Sequence, residues 1–238
     1  TSLIRSLTYA NNTYVAGGIG GVLNTSTDAI TWTLRNSGFG TSLIRSLTYA
    51  NNTYVAGGDA GTLTTSSVSL IEPTIWTQRT SGFGSSIIYA LTYGNNLYLA
   101  SGEGGTLNTS TDAITWTLRT SGFGSISIRG LTYGNNLYVA GSDNGTLTTS
   151  TDAITWTLRT SGFGTSLIYS VIYDGSNYIA GGDNGVLNTS TDAITWTLRT
   201  TGFGTSAVRS ITFGNNTYVA GGNGGVLNTS TDAITWTQ

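Results

Sequence analysis

The sequence predicts an all-β protein, a six-bladed β-propeller with four antiparallel strands per blade, closed without strand exchange. Three observations carry that expectation. The string NTSTDAITWT stands at 24–33 and returns at 108–117, 188–197 and 228–237, with a one-letter variant at 148–157 and a broken copy at 64–77 that carries four extra residues. The copies set a period of about forty residues, and self-similarity at that spacing marks an array of repeated supersecondary units. Within each period four short β-branched and aromatic runs alternate with turn signals, which is the pattern of a propeller blade.

The blades run 1–40, 41–84, 85–124, 125–164, 165–204 and 205–238, as a single propeller. A chain without Met has no initiator, so it is expected to be part of something longer. In blade one, Ile4 to Ala10 reads as the first strand, and Asn11-Asn12 as a two-residue turn whose residues tolerate positive φ. Thr13 to Gly17 is the second strand, Gly18 to Gly21 the next turn, and Val22 to Ser26 the third strand. Thr27 to Ala29 turns again into a fourth strand, Ile30 to Arg35. The segment from Asn36 to Gly40, Thr-Ser-Gly-Phe-Gly in most later copies, leads to the next blade.

With the turn at Asn11-Asn12, Tyr9 faces Tyr14 and Arg5 lies near Gly18. Alternation then puts Leu7, Tyr9, Tyr14, Leu23, Trp32 and Leu34 on one face and Ser6, Thr8, Val15, Val22, Thr31 and Thr33 on the other. A bulky face opposite a small one lets each blade press large side chains into the small side of its neighbour. Left unpacked, each large apolar side chain would forgo ~1.5 to 3 kcal/mol.

Composition narrows the chemistry. The chain has no Cys, Met or His, so disulfides, thiolate nucleophiles, imidazole bases and the usual zinc ligands are all excluded. Its nine cationic side chains are all Arg and face eleven carboxylates, for a net charge of -2. That balance leaves no electrostatic footprint for nucleic acid or an anionic membrane. No basic segment followed by an apolar run is present, so neither a signal peptide nor membrane insertion is expected. A surface of Thr, Ser, Asn and Gly suits an extracellular or virion part. Asn11 and Asn24 open N-glycosylation sequons that turn chemistry explains equally well.

The recurring Ser-Thr-Asp-Ala-Ile-Thr-Trp resembles the Asp-box of sialidases, sortilin-type receptors and photosystem assembly factors. Its aspartates here are Asp28, Asp112, Asp152, Asp192 and Asp232. The version is one residue short, and Ala29 stands where that family has a turn glycine. The wider unit, Tyr-Gly-Asn-Asn-Leu-Tyr-Val-Ala-Gly at 133–141 followed by the box, is similar to propeller repeats of bacteriophage tail-fibre and bacterial surface proteins. The resemblance implies a propeller fold, and for Asp-box enzymes it implies box turns on the face opposite the active site.

Two constellations are candidate sites. In the box, the Asp is expected to accept backbone N–H groups of its own turn while the Trp pins the hairpin. A calcium site is the alternative, but one carboxylate per turn is poor calcium chemistry, so no metal or cofactor is expected. The second constellation pairs repeat position 5 with position 19: Arg5, Arg45, Tyr89, Arg129, Tyr169 and Arg209 against Asp59, Glu103, Asp143 and Asp183, with Ile19 and Asn223 filling the remaining copies. One reading is a set of partly exposed ion pairs worth ~0 to 1 kcal/mol each. The other is a ring of polar pockets in which Arg and acid read hydroxyls and Tyr supplies a stacking face.

Differences between copies mark further places: Asp174-Gly175, and the loop Ser67 to Thr74 with Glu72 and Pro73, read as a tolerated insertion. Arg35, Arg79, Arg119, Arg159 and Arg199 read as solvated edge charges. Phe39, Phe83, Phe123, Phe163 and Phe203 read either as a stacking ring or as plugs between blades.

A sialidase-like hydrolase would need an arginine cluster, which Arg5, Arg45, Arg129 and Arg209 imitate, and carboxylates in unlike environments, which near-identical blades do not supply. The expectation is therefore a non-catalytic binding module of a surface appendage or phage tail fibre. Its partners would be a cell-surface glycan or receptor protein and other subunits or domains of a larger assembly. A spacer or assembly scaffold is the alternative.

Overall fold

The structure, a computed structural model, describes residues 3–67 and 75–238 and forms two compact units, Thr1–Arg119 and Thr120–Gln238, with three blades in each. The six sheets each follow strand order in sequence, and each is built from one repeat alone, so no strand is exchanged between repeats. Five sheets have four strands. The sixth has three, and a single bridge between Thr229 and Thr237 stands where the fourth strand was expected. Among the described residues no helix is long and apolar enough to cross a membrane.

Blade two shows how a repeat becomes a sheet. Its strands are Ile44–Ala50, Thr53–Gly58, Leu63–Ser67 and Thr77–Arg79. Asn51 and Asn52 take φ of 45° and 57°, the left-handed pair that a two-residue hairpin turn requires. Tyr49 then faces Tyr54, as Tyr9 faces Tyr14, with rings 4.5 and 4.4 Å apart. The Ser67–Thr74 loop, apart from Ser67 at the end of the third strand, lies outside the described residues, and Glu72 and Pro73 with it.

Three local expectations are corrected. Arg5 does not pair with Gly18: Ile4 does, Ser6 pairs with Gly17, and Arg5 is the extra residue of a β-bulge. Leu23 shares its face with Val15 and Gly17, because Ala16 pairs with Asn24 and Gly17 with Leu23. The intervening Ile19–Gly21 turn had shifted the alternation by one residue. The fourth strand is Thr33–Arg35, because residues 27–31 are spent on the box turn and Ile30 is exposed.

Inside each unit, adjacent blades pack large against small, as the pattern predicted. Ile44, Leu47 and Tyr54 of blade two lie on Val15 and Leu23 of blade one. A Cβ built at Gly17 would come within 2.5 Å of Ile44 Cγ2, so only glycine lets Ile44 seat there. The Tyr54 hydroxyl donates to the Ala10 carbonyl of blade one at 2.5 Å, and Tyr98 and Tyr178 make the equivalent bonds to Ala50 and Gly134 at 2.6 Å. Phe39 is buried between blades one and two, Phe83, Phe163 and Phe203 plug the equivalent seams within their units, and Phe123 is equally buried, so they offer no stacking ring. Ser37 fastens the same linker by donating to the Gly21 carbonyl at 2.6 Å.

A candidate binding rim

The bulge recurs in the first hairpin of all six blades. It takes the side chain at repeat position 5 out of the strand alternation and turns it to the sheet end, beside the turn that follows the second strand. Arg45 donates through Nε to Asp59 of that turn in blade two. In blade four Arg129 grips Asp143 in a bidentate pair, Nε to Oδ1 and Nη2 to Oδ2. Both pairs are about one-third exposed, a setting in which such pairs contribute roughly 0 to 1 kcal/mol.

The other copies vary the theme. Arg209 donates to Asn223 Oδ1 at 2.9 Å, and its guanidinium lies 3.9 Å from the ring centre of Tyr169 in blade five. Burial pushes the Tyr169 hydroxyl up, and its hydrogen bond to Asp183 pushes it further. Arg45 sits 5.4 Å over the ring of Tyr89 in blade three. Glu103 accepts from the Ile87 amide at 3.2 Å. Arg5 is exposed and faces a turn whose Ile19 brings no acceptor side chain. In blades two, four, five and six the structure thus joins the residues at positions 5 and 19, and it also stacks Arg on Tyr between consecutive blades.

Sequence reasoning missed a second feature at this end of the blades. A groove of about 500 Å³ in blade two is lined by Ala60 and Gly61 of the turn and by Gln78 to Gly82 and Gly84 of the exit to blade three. Blade four has a groove of about 480 Å³ in the equivalent place, lined among others by Gly145, Arg159 and Ser161. Arg79 and Arg159 belong to these walls. They are half-buried, each donating through Nε at 2.8 Å to a third-strand Thr, so they are not merely solvated edge charges. The repeated Arg-Thr-Ser-Gly of the linker was the available signal.

The repeated Ser-Thr-Asp-Ala turn consumes its own carboxylate. Asp28 Oδ1 accepts from the Ser26 hydroxyl at 2.9 Å and from the amides of Ile30 and Thr31 at 2.8 and 2.7 Å. Those donors, the Thr31 amide foremost, hold its carboxyl at about 2. Trp32 closes the turn by donating Nε1 to the Ala29 carbonyl at 3.1 Å. Among the described residues no three acidic side chains converge on a point. Asp174 is used differently: it accepts the Tyr218 hydroxyl of blade six, replacing the backbone carbonyl that serves elsewhere. The sequons at position 24 are closed to modification in three copies, where Asn108, Asn188 and Asn228 are fully buried.

No family model and no curated protein matches the chain. Solved structures do match. The computationally designed Ika8 protein is 19% identical, with a TM-score of 0.72 over 95% of this chain and 70% of its own. YCF48 from Cyanidioschyzon merolae is 16% identical, with a TM-score of 0.71 over 99% of this chain and 84% of its own. A structure of YCF48 bound to D1 peptide is 15% identical, with a TM-score of 0.73 over 98% and 78%. At these identities the likeness shows the fold alone: a six-bladed β-propeller whose last blade has three strands. That fold is consistent with a non-catalytic binding or scaffold module.

Proposed function

We propose that the chain is a non-catalytic binding module of a surface appendage or phage tail fibre, and that it recognises cell-surface carbohydrate through the rim at repeat positions 5 and 19. The observation that carries this reading is that a register break recurring in every blade places Arg and Tyr side by side within each unit, Arg45 on Tyr89 and Arg209 on Tyr169, with Asp and Asn acceptors beside them. Planar donors, carboxylate acceptors and aromatic faces at one edge are what ring hydroxyls and a sugar's apolar side require. Weak sites repeated from blade to blade would gain strength on a repeated glycan through avidity.

Catalysis finds no support in the rim. Glycoside hydrolysis wants two carboxylates facing each other across the scissile bond, whereas Asp59 and Asp143 are each held by their own arginine. A second reading, docking of a protein segment at the same end of the blades, is favoured by the solved YCF48 that carries a peptide.

A glycan array probed with the intact chain tests the first reading. Arg45→Ala and Asp143→Asn should each weaken a reproducible hit by about tenfold, the size of one charge-assisted hydrogen bond, while leaving the melting temperature nearly unchanged. A blank array, or equal losses of stability in both variants, would move the rim to the protein-docking or scaffold reading.

A further inference from the structure

The grooves of blades two and four are distinct from the Arg45 and Arg129 ion pairs of the rim, and their polar groups are unbalanced. One lies in each compact unit, at about 500 and 480 Å³ and from the same repeat positions, so the fold builds the feature twice and independently. Both volumes fall in the range of small-ligand sites. Two carbonyl acceptors of each wall are occupied within the chain. The Gly61 carbonyl accepts the Ser81 hydroxyl at 2.7 Å, and the Ser81 carbonyl accepts from Asn108 Nδ2 at 2.5 Å. In blade four the Gly145 and Ser161 carbonyls accept from Ser161 and Asn188 in the same way, at 2.5 and 2.6 Å.

The donors are left open. Arg79 and Arg159 commit only Nε, to Thr65 and Thr149. A guanidinium carries five N–H groups, so the four on its Nη atoms remain for the groove. The amides of Gly82 and Gly84, and those of Gly162 and Gly164, enter no hydrogen bond among the described residues. Gly82 and Gly84 hold φ of 77° and 59° on either side of Phe83, an alternation of hand of the kind that gathers amides into an anion-binding concavity. A Cβ built at Gly84 or Gly164 would meet nothing within 4 Å, so the linker backbone is open on that side. Neither groove has an acidic side chain in its lining. The acids of the adjoining turns, Asp59 and Asp143, are held by Arg45 and Arg129.

We propose that the grooves of blades two and four are subsites for a carboxylate-bearing sugar, a uronate unit of an acidic glycan, with Arg79 and Arg159 gripping the carboxylate. The proposal rests on the carbohydrate reading of the rim and gives that reading a substrate class. One guanidinium without an acid in the same wall is matched by one negative charge, and its Nη groups present parallel N–H bonds to the two oxygens of a planar carboxylate. The exposed Thr80 and Thr160 hydroxyls line the same grooves. Exposed Leu158 adds an apolar wall for a ring face in blade four, where Gln78 offers an amide in blade two. Asp59 directly precedes Ala60 of the groove wall, so acid and hydroxyl recognition stand one residue apart.

Ligand-observed NMR on the intact chain, titrated with methyl glucuronide, methyl glucoside and sodium acetate, tests this. The glucuronide is expected to bind at least about tenfold more tightly than either of the others, the size of one charge-assisted hydrogen bond. Thr80 and Thr160 are exposed and make no hydrogen bond among the described residues, so the double variant Thr80→Asp, Thr160→Asp should keep the wild-type melting temperature and lose the preference. Thr80→Lys with Thr160→Lys should enlarge it, and Arg79→Gln with Arg159→Gln should abolish it. Equal affinity for the two glycosides, or a preference that survives the aspartate substitutions, overturns the proposal. Acetate that binds as tightly as the glucuronide also overturns it, by making the grooves sites for an adventitious ion only. If the preference is absent while a reproducible array hit still depends on Arg45, the grooves fall and the rim reading stands; glucuronide binding that depends on Arg79 and Arg159 but not on Arg45 keeps the grooves and removes the rim.

Discussion

Ala29 holds φ at +60°, and Ala113, Ala153, Ala193 and Ala233 sit within a few degrees of it. A side chain in this left-handed region costs roughly 1 to 2 kcal/mol, and the box turn sets it because the Asp carboxylate gathers the two amides that follow. Ala29→Gly, at an exposed site, should therefore raise stability by about 0.5 to 1 kcal/mol once the added freedom of the unfolded chain is subtracted. Ala113 is fully buried in the core between blades two and three, so Ala113→Gly forfeits about 0.8 kcal/mol of methyl burial and should be close to neutral. Denaturant midpoints of the two variants check the difference; equal gains would mean that the Ala113 methyl contributes nothing. At this scale the sequence announced the chemistry of the box and of the Asn-Asn turns, because both depend on contacts within four residues. It did not announce the bulge at Arg5, which arises only when two strands pair, and so the direction of the rim side chains was out of its reach.

The blade is the element that repeats, and its hairpins were legible because period and turn residues agree. Faces were harder to read. One residue of slip through the glycine turn at Ile19–Gly21 exchanged Leu23 with Val22, since alternation has no memory across an irregular turn. The tie between blades was equally hidden, yet it is testable. Tyr98 donates to the buried carbonyl of Ala50, and burial pushes the hydroxyl up to about 12. Tyr98→Phe leaves that carbonyl unsatisfied and should cost about 1 to 3 kcal/mol. Tyr14 occupies the same repeat position in blade one and is only half-buried, so Tyr14→Phe should change stability by a few tenths of that. Thermal melts of both variants decide it, and similar losses would mean the Tyr98 bond is worth little.

For the whole molecule, architecture was the most legible level and the candidate site the least, because the period fixes how many blades there are while near-identity of the copies gives no ground for choosing among them. The same repetition makes the pH response collective. With no His in the chain, nothing that folding perturbs is expected to titrate near neutrality, so stability should be flat from about pH 5 to 9. On the acid side Asp28, Asp152 and Asp232 are held at about 2 by the turn amides that follow them, and Asp112 and Asp192 are lowered by the same donors. A carboxylate bound more tightly to its donors when folded stabilises at pH values above its unfolded value near 4. That contribution is lost as pH falls through the folded value, so the melting temperature should drop between about pH 4 and pH 2. On the alkaline side Tyr54, Tyr98 and Tyr178 are raised to about 12, chiefly by burial. Their contribution is complete below the unfolded value near 10 and should fade between about pH 10 and pH 12. Asp152→Asn should make the acid limb shallower and leave the alkaline limb unchanged, whereas Tyr98→Phe should do the reverse. A melting curve that begins to fall near pH 6 would show that some other group controls the acid limb and that the box aspartates do not.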